Sequence, residues 1–152
     1  MQRGDRYGAY HRRARHDARS NDRQGDRRAI DSYPDNLKVL VVGTGGLSHQ
    51  LDGPRAGFIN KEFDQFCMNE LVHNPDSLTR YSIPELVEQA GAQGVELLNW
   101  VAMRGALTGT VTEAHHNYHI PISNTATATM VFANRCRRAA RRLNANSRRI
   151  ET

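Results

Sequence analysis

The sequence lacks the features that mark membrane-spanning, secreted and disulfide-bonded proteins. No apolar run approaches the roughly 18 residues needed to cross a bilayer, and the N-terminus has no apolar segment typical of a secretory signal. The two cysteines, Cys67 and Cys136, do not have the spacing of metal ligands. Isolated thiols of this kind are typical of a reducing compartment. A cytoplasmic location is therefore the expectation.

Hydrophobic residues are also scarce, at 38% of the chain, because they are unevenly distributed. Residues 1–28 contain nine arginines and four aspartates, a net charge of +5. Residues 29–134 have a net charge of −6, and residues 135–152 a net charge of +6. The basic ends contain little apolar surface that a core could bury. The composition predicts a disordered Arg-rich arm (1–28), one folded domain (29–134) and a basic tail (135–152).

The most informative stretch begins with the apolar run at residues 39–42, which is rich in β-branched side chains. Such a run predicts a strand that is buried on both faces. It ends at the glycine-rich segment 43–46, where the chain can turn sharply and its backbone can closely approach another group. His49 follows three residues later, and this order is common in α/β active sites. A tight turn with His49 in solvent or capping a helix is the alternative.

Two amphipathic helices are predicted next. The first, over residues 60–71, has Asn60 as its N-cap and acidic residues opposite an apolar face formed by Phe63, Phe66, Cys67 and Leu71. The second starts at Ser82, where Glu85 lies at the position that completes a capping box. It ends at Gly91 and directs Ile83, Leu86, Val87 and Ala90 inward.

A third helix is predicted over residues 93–106, which are mostly apolar but include Glu96 and Arg104. A carboxylate in an apolar helix is costly unless it is paired or bound to a cation. Glu96 on an exposed stripe of the helix is the alternative, and this helix alone does not decide between the two. A polar loop is expected over 105–113 and a turn at 123–124, while residues 127–132 fit either a strand or a helix.

Three blocks of the sequence resemble one enzyme family: GTGGLSHQLDGPRAGFIN, GVELLNWVAMRGAL and YHIPISNTA. In order and spacing they are similar to the C-terminal half of the class III extradiol ring-cleavage dioxygenases, of the protocatechuate 4,5-dioxygenase β-subunit and gallate dioxygenase type. The resemblance covers residues 28–134. It implies an α/β fold, a partial three-layer sandwich with a buried mixed sheet and covering helices, flanked by the disordered basic ends that the composition predicts.

The resemblance also implies a chemistry. Enzymes of this family use O₂ to open the ring of a carboxylated catechol such as protocatechuate or gallate. The reaction takes place at a non-haem Fe(II) held by two histidines and one glutamate. By resemblance, Glu96 matches the carboxylate ligand of the iron, and His49 matches an acid/base that is not a ligand. Ser123 matches the residue that hydrogen-bonds the substrate carboxylate, with Asn124 beside it.

The two iron-ligating histidines of the family lie in its N-terminal half, which this sequence does not match. We therefore expect the chain to be inactive alone, or to depend on a full-length or N-terminal-half subunit. One alternative is a non-catalytic partner that docks on a full-length dioxygenase. The other is a basic protein whose arginine-rich ends bind nucleic acid, which ranks lower because no groove-reading helix accompanies those ends.

Overall fold

The computed structural model describes residues 28, 30, 32, 38–107 and 110–134. In these ranges the fold is mixed α/β, with four helices, a 3₁₀ turn at Gly94–Glu96 and a two-stranded antiparallel sheet. The helices are α1 (Lys61–His73), α2 (Pro75–Leu78), α3 (Ile83–Ala90) and α4 (Leu97–Ala106), and the strands are β1 (Val111–His119) and β2 (Thr127–Asn134). No described helix is long and apolar enough to cross a bilayer. Apart from Arg28, the predicted arm and tail lie outside the described residues.

The predicted caps of the first two helices are confirmed, whereas the predicted start of the third helix at residue 93 was wrong, because a 3₁₀ turn occupies Gly94–Glu96 and α4 begins at Leu97. Asn60 caps α1, since its side chain accepts a hydrogen bond from the Phe63 amide at 3.1 Å. Ser82 and Glu85 form a full capping box at the start of α3, in which each side chain accepts from the other residue's backbone N–H. Helix α3 ends at Gly91, which has a φ of 82°. Local chemistry therefore sets these boundaries.

The core lies between α1, α3 and α4, but one face of α1 differs from the prediction. Phe66 is 40% exposed, whereas Asp64 is only 1% exposed. The expectation that the acidic residues all lie opposite the apolar face was therefore wrong for Asp64, because hydrogen-bond donors from outside the helix satisfy its carboxylate. The largest fully buried apolar side chains are Leu47, Cys67, Leu71, Leu78, Leu86, Val95, Leu97, Leu98 and Val101.

The embedded cation of α4 has a structural role. Arg104 is buried, and its Nε donates to the carbonyl oxygen of Leu71 at 2.8 Å. Leu71 lies in the last turn of α1, where carbonyl groups have no partner within the helix and carry partial negative charge. Burial lowers the pKa of the Arg104 guanidinium, and the nearby Asp76 carboxylate acts in the opposite direction. Arg104 therefore ties α4 to the end of α1.

Both strands lie in the C-terminal part of the described chain. Strand β1 pairs with β2 from Val111 opposite Asn134 to His119 opposite Thr127, with a bulge between Glu113 and His115. Residues 127–132, for which the sequence fits either a strand or a helix, therefore form a strand. The predicted polar loop over 105–113 was too long, since β1 already begins at Val111. The turn at 123–124 is confirmed by the positive φ of Asn124, 51°.

The predicted buried strand at residues 39–42 is not formed. Val39, Leu40 and Val42 are 52%, 85% and 67% exposed, and the run has no regular secondary structure. A strand is buried on both faces only when neighbouring strands and covering helices flank it. The described residues form a single two-stranded sheet elsewhere, so they do not form the predicted three-layer sandwich with a buried mixed sheet.

Two glycines with positive φ, Gly91 and Gly53, allow a matched test of how closely Gly91 packs against the backbone of His49. A Cβ at Gly91 would lie 2.3 Å from the carbonyl oxygen of His49, whereas at Gly53 the nearest atom is 3.6 Å away. We expect Gly91→Ala to lower the free energy of unfolding by about 3 kcal/mol, because it combines backbone strain with a clash. Gly53→Ala should cost about 1 kcal/mol from strain alone. Urea denaturation measures both, and equal losses would contradict the packing of Gly91 against His49.

Candidate active site

The glycine-rich turn at residues 43–46 is fixed to the start of α4. The Thr44 carbonyl oxygen accepts from Asn99 Nδ2 at 3.1 Å, and the Gly45 carbonyl oxygen accepts from Trp100 Nε1 at 3.2 Å. A Cβ at Gly43 would lie 2.9 Å from the carbonyl oxygen of Asn99. The close backbone approach predicted for these glycines is therefore confirmed, and α4 is the element that they approach.

Glu96 lies directly against this turn. It ends the 3₁₀ turn that precedes α4, and its side chain is half-buried. The Gly46 amide donates to Glu96 Oε2 at 3.0 Å, and a Cβ at Gly45 would lie 2.7 Å from the Glu96 Cβ. Only glycine fits at Gly45, which also has a φ of 132°. Among the described residues, the carboxylate is thus held by a backbone N–H and not by a cationic side chain.

His49 lies close to Gly46, the glycine whose amide binds Glu96. A Cβ at Gly46 would lie 2.9 Å from His49 Cε1. The imidazole is only 6% exposed, so the alternative of a solvent-exposed His49 was wrong. The structure therefore brings Glu96 and His49 together, because both side chains contact Gly46.

The hydrogen bonding of His49 defines the tautomer of its neutral ring. His49 Nδ1 lies 2.9 Å from the Leu47 carbonyl oxygen. A carbonyl oxygen can only accept, so Nδ1 carries the proton and Nε2 holds the free lone pair. In residues 38–107 and 110–134, no group hydrogen-bonds to Nε2. The ring can therefore accept a proton from a bound molecule at Nε2.

The turn with Ser123 and Asn124 lies next to His49. Thr125 forms an isolated antiparallel bridge with His49, and Ala126 exchanges backbone hydrogen bonds with Leu47 (3.0 Å) and Ser48 (3.2 Å). Ser123 and Asn124 are both exposed. The structure therefore brings Glu96 and His49 to one glycine, and the exposed turn with Ser123 and Asn124 directly precedes Thr125, the residue that pairs with His49.

The described residues do not fit a complete iron site by themselves. They contain no group of three His, Cys, Asp or Glu side chains that could hold a metal ion. Glu96 offers one carboxylate, whereas a two-His-one-carboxylate site needs three protein ligands. His116 lies on β1, where its Nδ1 pairs with the Glu113 carboxylate.

Comparison with known proteins identifies the family. The family model described as the catalytic LigB subunit of aromatic ring-opening dioxygenase matches residues 24–129. The chain belongs to this family. The predicted resemblance to class III extradiol dioxygenases is thereby confirmed. Gallate dioxygenase of Pseudomonas putida is 44% identical over 112 residues, which are 74% of this chain and 33% of that enzyme. This LigB-family chain thus spans about a third of the length of that relative.

Sequence reasoning missed one residue of this region, Asp64. Its carboxylate accepts hydrogen bonds from both the backbone and the side chain of Ser48, the residue before His49. Helical spacing could have indicated its burial, because Asp64 lies three and four residues before the buried Cys67 and Met68.

The tautomer of His49 is directly testable. In the metal-free chain we expect neutral His49 to carry its proton on Nδ1, since Leu47 O can only accept. Long-range ¹H–¹⁵N correlation spectra of the imidazole rings measure this. The exposed His115 is the internal comparison and should show the mixed tautomers of imidazole in water. A protonated Nε2 in neutral His49 would contradict the geometry.

Proposed function

We propose that this LigB-family chain supplies the carboxylate ligand, the acid–base histidine and the substrate-binding turn of an extradiol ring-opening site. The substrate would be a carboxylated catechol such as protocatechuate or gallate, opened with O₂. The contact of one glycine, Gly46, with both Glu96 and His49 carries the proposal. The identity with gallate dioxygenase supports the choice of substrate class.

His49 would move the proton of a catechol hydroxyl. The Nε2 lone pair can accept that proton and return it later in the reaction. Burial keeps the ring in one orientation while Nε2 remains without a partner in the described chain.

Ser123 would bind the carboxylate of the substrate. Its exposed hydroxyl can donate a hydrogen bond without adding charge, and Asn124 beside it offers amide donors. Asn124 lies close to the turn that ends at Gly57, since a Cβ at Gly57 would lie 3.2 Å from its Nδ2. The turn directly precedes Thr125, which pairs with His49, and this favours simultaneous contact of one aromatic ring with both Ser123 and His49.

Glu96 would hold Fe(II) together with two histidines from outside the described residues. When bound, the iron would supply the site at which catechol hydroxyls and O₂ meet. Two thirds of gallate dioxygenase lie outside the match, and the exposed apolar run at 39–42 offers a surface that such a segment could cover. A polypeptide that supplies the missing ligands is therefore the partner we propose.

The proposal predicts that the purified 152-residue chain has no turnover alone. After anaerobic loading with Fe(II), we expect well under one iron per chain and no O₂ consumption with protocatechuate or gallate, because one carboxylate does not retain the metal. Co-expression with the part of gallate dioxygenase that precedes the matched third should restore iron binding and ring opening. Full turnover by the chain alone would refute the dependence on a partner.

The matched variants in the co-expressed complex are Glu96→Gln and Ser123→Ala. Glu96→Gln keeps an acceptor for the Gly46 amide but loses the charge. The iron content of the complex should therefore fall while the chain still folds normally. Ser123→Ala should raise KM for gallate about tenfold, the worth of one hydrogen bond to a charged group, with kcat little changed. Unchanged iron content in Glu96→Gln would show that Glu96 is not an iron ligand.

A non-catalytic role is the second candidate, favoured by the absence of a three-ligand group in the described part of the chain. In that case the chain would dock on a full-length dioxygenase. It would then co-purify with that enzyme, and Glu96→Gln would leave the iron content of the complex unchanged.

A further inference from the structure

Asp64 is a buried carboxylate to which the proposed function assigns no role. It lies in the first turn of α1 and is 1% exposed. Asp64 Oδ1 accepts from the Ser48 amide at 2.8 Å, and Oδ2 accepts from Ser48 Oγ at 2.7 Å and from the Tyr118 hydroxyl at 2.8 Å. Burying a carboxylate is costly unless donors of this kind satisfy it. Three donors converge on it from two other segments of the chain.

The amide that Asp64 binds belongs to the same peptide group as the acceptor of His49. The N–H of Ser48 and the C=O of Leu47 lie in one planar unit and point in opposite directions. Asp64 Oδ1 is at the N–H end, and His49 Nδ1 is at the carbonyl end, 2.9 Å from the oxygen. A negative charge at the N–H polarises the peptide group and makes its carbonyl oxygen a stronger acceptor.

We infer that Asp64 is a positioning residue for His49 and acts through the Leu47–Ser48 peptide group. The inference rests on the proposed function, because positioning matters only if His49 is the acid–base group. By fixing the peptide plane and strengthening its carbonyl, Asp64 holds the proton on Nδ1 and keeps Nε2 as the basic nitrogen. A carboxylate that binds Nδ1 directly would orient the ring in the same way. Here a peptide group lies between them.

The surrounding hydrogen bonds leave Asp64 as the acceptor in this arrangement. Ser48 Oγ accepts from the Asn60 amide at 2.8 Å, so its own hydrogen is directed to Asp64. Burial raises the pKa of the Asp64 carboxyl overall, and the hydrogen bonds from Ser48 and Tyr118 offset part of that rise. The geometry provides three donors to Asp64, and the charged carboxylate can accept all three.

Asp64→Asn tests the inference in the metal-free chain. The amide oxygen can still accept from Ser48 but carries no charge, so the Leu47 carbonyl becomes a weaker acceptor and the ratio of Nδ1–H to Nε2–H tautomers in neutral His49 should fall about twofold, since polarisation changes a buried hydrogen bond by roughly 10%. Ring ¹H–¹⁵N spectra measure the ratio. The exposed Asp52→Asn is the matched control and should leave it unchanged. A wild-type ratio in folded Asp64→Asn would overturn the inference.

Tyr118→Phe decides the question if Asp64→Asn does not fold. This variant removes one donor from Asp64 and leaves the Ser48 amide contact in place, so charge is redistributed on the carboxylate. The Ser48 amide and the His49 ring resonances should then move together, because one peptide group joins them. A shift of the Ser48 amide with no change at His49 would overturn the inference.

These readouts need neither iron nor substrate, so they separate the two claims. A changed His49 tautomer in Asp64→Asn, together with no ring opening in the co-expressed complex, would uphold the positioning and refute the proposed function. If ring opening depends on His49 but the tautomer ratio is the same in Asp64→Asn as in the wild type, the proposed function is upheld and the positioning role is refuted.

Discussion

The backbone of residues 47–49 is hydrogen bonded on both of its sides, and the geometry of the site depends on this. On one side it exchanges hydrogen bonds with Ala126, and on the other the His49 amide donates to the Ala90 carbonyl oxygen at 2.8 Å. The segment therefore lies between the strand that leads into β2 and the end of α3. Because Gly91 packs against the same backbone, a side chain there would displace His49.

Features set by neighbouring residues could be predicted from the sequence, and features set by distant ones could not. The N-caps at Asn60 and Ser82 and the stop at Gly91 need only local chemistry, and all three were predicted. Helical spacing places Asp64 on the buried face of α1, but the donors that satisfy its carboxylate lie 16 and 54 residues away, and a helical pattern does not reveal them. The run at 39–42 carries a strong strand signal, but its burial requires neighbouring strands that the described residues do not provide.

The same distinction between local and long-range features applies to the candidate site. The family resemblance pointed to Glu96, His49 and the turn at 123–124, and their roles remain proposals. Periodicity alone left Glu96 undecided between an exposed stripe and a buried charge. In the structure it is half-buried, and a backbone amide from the glycine turn meets it 50 residues away in the chain. A long-range contact of this kind explains why an acid is tolerated at the start of an apolar helix.

The central claim is that the turn at 45–46 holds the Glu96 carboxylate and the His49 imidazole at one site. Nuclear Overhauser effects in the metal-free chain test it most directly, since they report only protons that lie close together. The account predicts cross-peaks from the Gly46 protons to both the His49 Hε1 and the Glu96 side chain. Cross-peaks to only one of the two side chains would contradict it.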